Sequence, residues 1–202
     1  MIRAFLAVEL SEDVRASIAR VQQDLKASFL RELPRVVRVS WVQPAAIHLT
    51  IKFLGDTDEQ IIEPLREALA EIVKDQCAIS IPIARLGAFP SSQAPRVLWV
   101  GAAELWERGD DAKRLSELHK SIETCCDSLG FEPDHRPLSP HLTLARIRAG
   151  SHEFGRALVS SKVLERPLSL NALAVESVAL MQSELRPTGS VYRKLWDVRL
   201  RG

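Results

Sequence analysis

The 202-residue chain has only three cysteines, an odd number too small for a disulfide framework, and this suggests a reducing compartment. A formal net charge of +1 gives it no global field, which excludes a general coater of nucleic acid and leaves at most a local basic groove. No apolar run is long enough to cross a bilayer. The opening MIRAFLAVEL meets Glu9 too soon for a signal peptide. These absences lead us to expect a cytoplasmic monomer with no membrane partner. The sequence contains no His-Glu-x-x-His, no paired Cys-x-x-Cys, no glycine-rich phosphate loop and no Gly-x-Ser-x-Gly, so neither metal nor cofactor is expected.

What remains is globular: 46% hydrophobic and 26% charged residues, enough to bury a sizeable core in one domain or two closely packed lobes. Residues 3–10 form an apolar run expected to be a buried strand. Glu12 and Asp13 then open a helix carrying Val14, Ile18, Val21 and Leu25. Residues 31–38 are an arginine-rich loop, and Val39 with Trp41 begins a short edge segment. Thr57 and Gln60 have capping-box spacing before a helix with Leu65, Leu69, Ile72 and Val73, and Pro64 either opens that helix or kinks its first turn. Ile79, Ile81 and Ile83 alternate with Pro82 as an edge strand. After a turn-rich loop at 90–95, residues 97–100 read as strand. Asp110 or Asp111 starts a helix whose stripe is Leu115, Leu118, Ile122, Cys126 and Leu129, closed by Gly130. A short helix is expected over 153–164, apolar strand over 168–181, a loop over 184–190 and a last strand over 191–200. Cys125 and Cys126 are assigned to packing.

Within this frame one tripeptide occurs twice: His48-Leu49-Thr50 and His141-Leu142-Thr143, each after a proline-containing loop and each opening a hydrophobic strand. On a strand the period of two puts the histidine and threonine on one face and the leucine on the other. Arg3 precedes His48 by 45 positions, and Arg96 precedes His141 by 45. The element order in between also corresponds. Either the chain is an internal duplication, residues 3–89 and 96–182, forming two intertwined lobes of one domain over 1–202, or the lengths coincide by chance. A duplication would bring both tripeptides into one cleft.

Two imidazoles near neutrality can divide general-base and general-acid work, and two hydroxyls on the same face can donate to phosphoryl oxygens. That set suits in-line cleavage of a phosphodiester without a metal. For binding, Phe89, Trp41 and Tyr192 are candidates to stack on a base, and Lys52, Arg35, Arg38 and Arg136 for phosphates further along a strand, against the plain roles of core aromatic and solvated cation. His119, His135 and His152 are assigned to surface or capping roles, with His135 and Arg136 able to border the cleft.

The strings IHLTIKFLG and SPHLTLARIR, with RAFLAVEL, GAFP and RVLWVG, resemble the two-histidine (2H) phosphoesterase superfamily and, within it, the RNA 2′,3′-cyclic phosphodiesterases, also called 2′-5′ RNA ligases. The resemblance spans nearly the whole chain. It implies a bilobal α+β fold with antiparallel sheets lining a central cleft and helices outside. It also implies metal-independent opening of 2′,3′-cyclic phosphate ends of RNA or nucleotides to 2′-phosphomonoesters. His48 is implied as proton donor, His141 as proton acceptor, and Thr50, Thr143 and Arg146 as phosphate ligands. Strict alternation puts Arg146 on the face opposite His141, so the strand twists or bulges there, or this arginine supports the site from outside. The alternatives are the reverse reaction, joining a cyclic end to a 5′-hydroxyl, and a noncatalytic binder of RNA ends.

Overall fold

The computed structural model describes residues 1–29, 33–168, 170–186 and 189–201. Four helices and ten strands lie within those residues, in an α+β arrangement. The strands are β1 (Ile2–Glu9), β2 (Arg38–Trp41), β3 (His48–Thr57), β4 (Ile79–Ile81), β5 (Ile83–Phe89), β6 (Val97–Ala102), β7 (His141–Ala149), β8 (Leu173–Val175), β9 (Ser177–Arg186) and β10 (Gly189–Arg199). The helices are α1 (Glu12–Phe29), α2 (Ile62–Val73), α3 (Asp110–Ser128) and α4 (Ser151–Ser160).

Seven strands run in the order β10-β9-β1-β3-β7-β6-β5, with β2 added on β7, and all the pairings are antiparallel. From β9 to β5 the order is balanced about the centre, where β3 and β7 meet through the single pair Leu49 with Leu142. β4 and β8 pair only with each other, Ile79 opposite Val175 and Ile81 opposite Leu173.

The helices cover one face of the large sheet because each carries an apolar stripe at helical spacing. Val14, Ile18 and Leu25 of α1, Leu65, Leu69 and Val73 of α2, Leu115, Leu118 and Ile122 of α3, and Phe154 and Leu158 of α4 join Leu49 and Leu142 in one buried core. Each such fully buried side chain contributes on the order of 2 kcal/mol. The opposite face stays open, apart from a small cluster of Phe5, Ala7, Ala179 and Met181 with Tyr192 packed on it. No helix among the described residues is long and apolar enough to cross a membrane.

Two local expectations change, and the one left open at Pro64 is decided. Thr57 ends β3, buried, and does not cap a helix; Asp58 accepts from the Gln60 backbone N–H at 3.0 Å, and a tight turn at Glu59–Ile61 leads into α2. Pro64 therefore falls in the first turn of α2, where its missing N–H costs no hydrogen bond. Residues 184–186 and 189–190 are paired strand instead of loop, since Leu185 pairs with Ser190 and Arg186 with Gly189. Residues 187 and 188 of that stretch, and 31 and 32 of the arginine-rich loop, lie outside the described residues.

Candidate active site

His48 and His141 stand at the first positions of β3 and β7, the two central strands. Because Leu49 and Leu142 are anchored in the core, the residues on either side of each face the open side of the sheet. His48, Thr50, His141 and Thr143 accordingly line one pocket of about 260 Å³, together with Arg3, Phe53, Arg146 and Tyr192.

The two imidazoles are held in the same way. His48 Nδ1 donates to the Ala46 carbonyl at 2.9 Å, and His141 Nδ1 to the Ser139 carbonyl at 2.8 Å, in each case two residues upstream. With Nδ1 engaged by a carbonyl, which can only accept, the proton of the neutral ring sits on Nδ1 and Nε2 carries the free lone pair. Aromatic rings fix the planes. Phe5 lies 4.7 Å and Tyr192 5.1 Å from His48, while Phe89 lies 5.1 Å and Trp99 6.2 Å from His141. Burial against these rings pushes both histidines below their ordinary pKa, the backbone hydrogen bonds oppose it, and Arg146 lowers both further. His141 adds a small push on His48 in the same direction.

Arg146 reaches this face through a β-bulge. β6 pairs Trp99 with Thr143 and then Leu98 with Ala145, so Leu144 is an extra residue. Leu144 and Ala145 are both buried, the alternation reverses, and Arg146 comes onto the side of His141. β3 does the same three residues after its histidine. β1 pairs Ala7 with Thr50 and Leu6 with Lys52, and Ile51 is the extra residue. Lys52 is thereby turned into the core side and Phe53 onto the pocket side, where it is 72% exposed.

Each bulge is tied from behind by a buried polar side chain of a helix. Gln22 of α1 donates to the Leu144 carbonyl at 2.9 Å and to the Val42 carbonyl at 2.8 Å. His119 of α3 hydrogen-bonds the Ile51 backbone, and burial lowers its pKa. Lys52 Nζ lies 2.6 Å from Glu123 and donates to the Glu132 carbonyl at 2.9 Å, and the other Glu123 oxygen lies 3.5 Å from His119.

The expected site residues separate accordingly. His48, Thr50, His141, Thr143, Arg146 and Tyr192 share the pocket, and Phe89 frames His141 from its rim. Lys52 does not face the pocket, because the bulge removes it and Glu123 holds it. Trp41 packs against the main core with Lys26 over its ring, because on β2 it pairs with the core-facing Ala145; its neighbour Val42 is the one that lines the pocket. Arg136 and His135 border a separate groove over α3, where Arg136 is bound to Asp134 and holds that carboxyl well below the usual range. His119 is buried, not a surface residue. Sequence reasoning missed Phe53, Arg3, Gln22 and His119 as parts of this construction. Arg96 does not correspond to Arg3 in pairing: Ala7 and Trp99, opposite Thr50 and Thr143, are 92 positions apart, one fewer than the two histidines.

Residues 8–99 and 109–192 match the profile of the LigT-like phosphoesterases. The RNA 2′,3′-cyclic phosphodiesterase of Methanothermobacter thermautotrophicus is 28% identical over 199 residues, 98% of this chain and 99% of that one. The RNA 2′,3′-cyclic phosphodiesterase of Thermus thermophilus is 31% identical over 207 residues, covering 100% and 91% of the two chains. Among solved structures, TT0787 of Thermus thermophilus superposes with a TM-score of 0.73 at 28% identity, over 100% of this chain and 99% of that one. Two-thirds and more of the chain thus carries the family pattern, and the chain belongs to the LigT-like phosphoesterases.

Proposed function

We propose that this chain hydrolyses RNA 2′,3′-cyclic phosphodiester ends to 2′-phosphomonoesters, using two histidines and no metal. The observation that carries the reading is the matched setting of His48 and His141: one pocket, both Nδ1 atoms bound to backbone carbonyls, both Nε2 atoms available for proton transfer. The names of the two curated relatives support the substrate. In the direction implied by the family resemblance, His141 Nε2 takes a proton from water as the oxygen attacks phosphorus. The P–O3′ bond breaks on the far side, and His48, which enters the reaction as the imidazolium, gives its Nε2 proton to the departing O3′. Thr50 and Thr143 donate to the non-bridging oxygens and Arg146 offsets their charge. Exchange with solvent returns both rings to their starting states. The terminal base rests against Tyr192 and Phe53 at the pocket mouth. Residues 3–89 and 96–182 are read as copies of one unit, which the balanced strand order and the two equivalent bulges support.

The test is incubation with a nucleoside 2′,3′-cyclic phosphate in chelator, with identification of the monoester formed. A 2′-phosphate is expected, and His48→Ala or His141→Ala should slow its formation by roughly 10² to 10⁴, the usual worth of a general acid or base. Full turnover by either variant, or activity abolished by chelation, overturns the mechanism.

A further inference from the structure

A 2′,3′-cyclic end carries an RNA strand behind it, and for the hydrolase proposed here that strand must leave the pocket along one wall. Val42 lines the pocket at the end of β2. Alternation from Val42 puts Ser40 and Arg38 on the same face, and both are exposed, whereas Val39 and Trp41 between them are partly buried against the core. Ser40 pairs directly with Arg146 of β7. Two residues on, past the buried Ile147, Arg148 is exposed on the side of Arg146.

The geometry points to a track for the RNA phosphates 5′ of the cyclic end, running from the pocket over Arg146 to Arg148 and Arg38. Four observations carry it. The face is continuous with the pocket through Val42 and Arg146. Among the described residues no ion pair involves Arg38, Arg146 or Arg148, whereas Lys52 and Arg136 are neutralised by Glu123 and Asp134. Arg148 is the extra residue of a further bulge, with Ile147 opposite Val39 and Ala149 opposite Arg38, so it lies beside Arg38 and about 6.7 Å of strand beyond Arg146, close to the step between successive phosphates of an extended strand. The two bulges also set different groups at the fifth position after each histidine, a π-surface at Phe53 on the β3 wall and a cation at Arg146 on the β7 wall, next to Arg148 and Arg38. The base takes the first wall, and the backbone of the strand leaves along the second. Water is the only other reactant in hydrolysis, so the strand on this wall is the one that bears the cyclic end. Net charge near zero fits a short basic track at the end of an RNA better than a coating surface.

The track rests on the hydrolase reading but is tested separately. Arg38→Gln/Arg148→Gln is compared with the unaltered protein in two measurements: turnover of a nucleoside 2′,3′-cyclic phosphate, and anisotropy binding of a fluorescent pentaribonucleotide ending in a 2′-phosphate. Both side chains are exposed, so the fold should be kept, as thermal melting will report. Pentanucleotide affinity should fall roughly tenfold at low salt, the product of two exposed charge pairs of ordinary strength. Its salt dependence should flatten by about 0.7 in log–log slope for each phosphate that is no longer neutralised. Turnover of the cyclic mononucleotide should stay within twofold of the unaltered protein. Unchanged pentanucleotide affinity and slope, or an equal loss with the mononucleotide, overturns the track. Failure of the unaltered protein to turn over the cyclic mononucleotide overturns the hydrolase reading, while the binding result still decides the track.

Discussion

Replacing Lys52 with methionine keeps an unbranched stem of similar length and deletes only the charge that faces Glu123. The Lys52 side chain is 1% exposed and that of Glu123 13%, with 2.6 Å between the charged atoms, so the substitution leaves a carboxylate facing the protein interior without its cation. Removing one partner of a buried pair costs about 3–5 kcal/mol. Glu123 keeps the Asp134 N–H at 3.0 Å and His119 at 3.5 Å, which places Lys52→Met at the low end, about 3 kcal/mol. For a chain of this length that corresponds to a fall in melting temperature of roughly 6–12 °C. Lys52→Met/Glu123→Met should recover most of the loss, because an apolar pair of similar volume replaces a buried ion pair at little net cost. The assay is urea unfolding of both single variants and the double variant, closed as a cycle. A loss under 1 kcal/mol for Lys52→Met, or a double variant no more stable than that single one, would show that this pair does not hold the reversed strand.

Three further outcomes follow from the same geometry. Because burial holds both His48 and His141 below 6.5, with Arg146 acting in the same direction, both limbs of a kcat/KM bell should lie below pH 6.5; Arg146→Gln should raise both histidine pKa values by NMR titration while lowering kcat/KM. If neither histidine moves upward, the assigned position of Arg146 is wrong. The lowered values of His48, His119 and His141 also set the sign of the stability change: the unfolded state binds more protons below 6.5, so stability is full above that pH and falls as pH drops through the folded values, which melting temperatures across pH 4–8 will report. Gly87→Ala places a Cβ 2.2 Å from the Trp99 ring, which must then shift away from Phe89 and His141; a stability loss of about 1–3 kcal/mol, a changed near-ultraviolet tryptophan signal and a fall in kcat are expected, and an unperturbed tryptophan signal would refute the contact.

The parts of the molecule that are legible in the sequence are those set by local spacing. The stripe Leu115, Leu118, Ile122, Cys126 defines α3, Gly130 with φ of 87° ends it, and the Leu49 and Leu142 anchors fix which way the histidines point. Parity carried unbroken from His48 puts Lys52 and Phe53 on the wrong faces, because one extra residue inverts every side chain after it. Nothing near Ile51 announces the bulge. Its anchor His119 comes from α3, and the anchor of the Leu144 bulge, Gln22, comes from α1, 122 positions from its acceptor. Trp41 and Arg136 depart from expectation for a related reason: their neighbours, Ala145 and Asp134, determine where they lie, and neither neighbour is visible as such in the linear chain.

The two bulges also explain how a nearly symmetric frame can hold an asymmetric substrate. A regular strand would carry the alternation of His141 and Thr143 on to Ala145, and Arg146 would point into the leucine core, where an unpaired guanidinium is not tolerated. With the extra residue at Leu144, the same arginine reaches the pocket and acts on both imidazoles. The identical device on β3 delivers Phe53. Backbone geometry is therefore matched on the two sides, while side-chain chemistry is not: cation on one, π-surface on the other. A phosphodiester end has that polarity itself, a charged backbone leading away on one side and a planar base on the other, so exchanging the two residues, Phe53→Arg with Arg146→Phe, should keep the fold yet abolish turnover. Retained activity in that exchanged variant, measured on a 2′,3′-cyclic mononucleotide with melting temperature as control, would mean that the two walls do not orient the substrate.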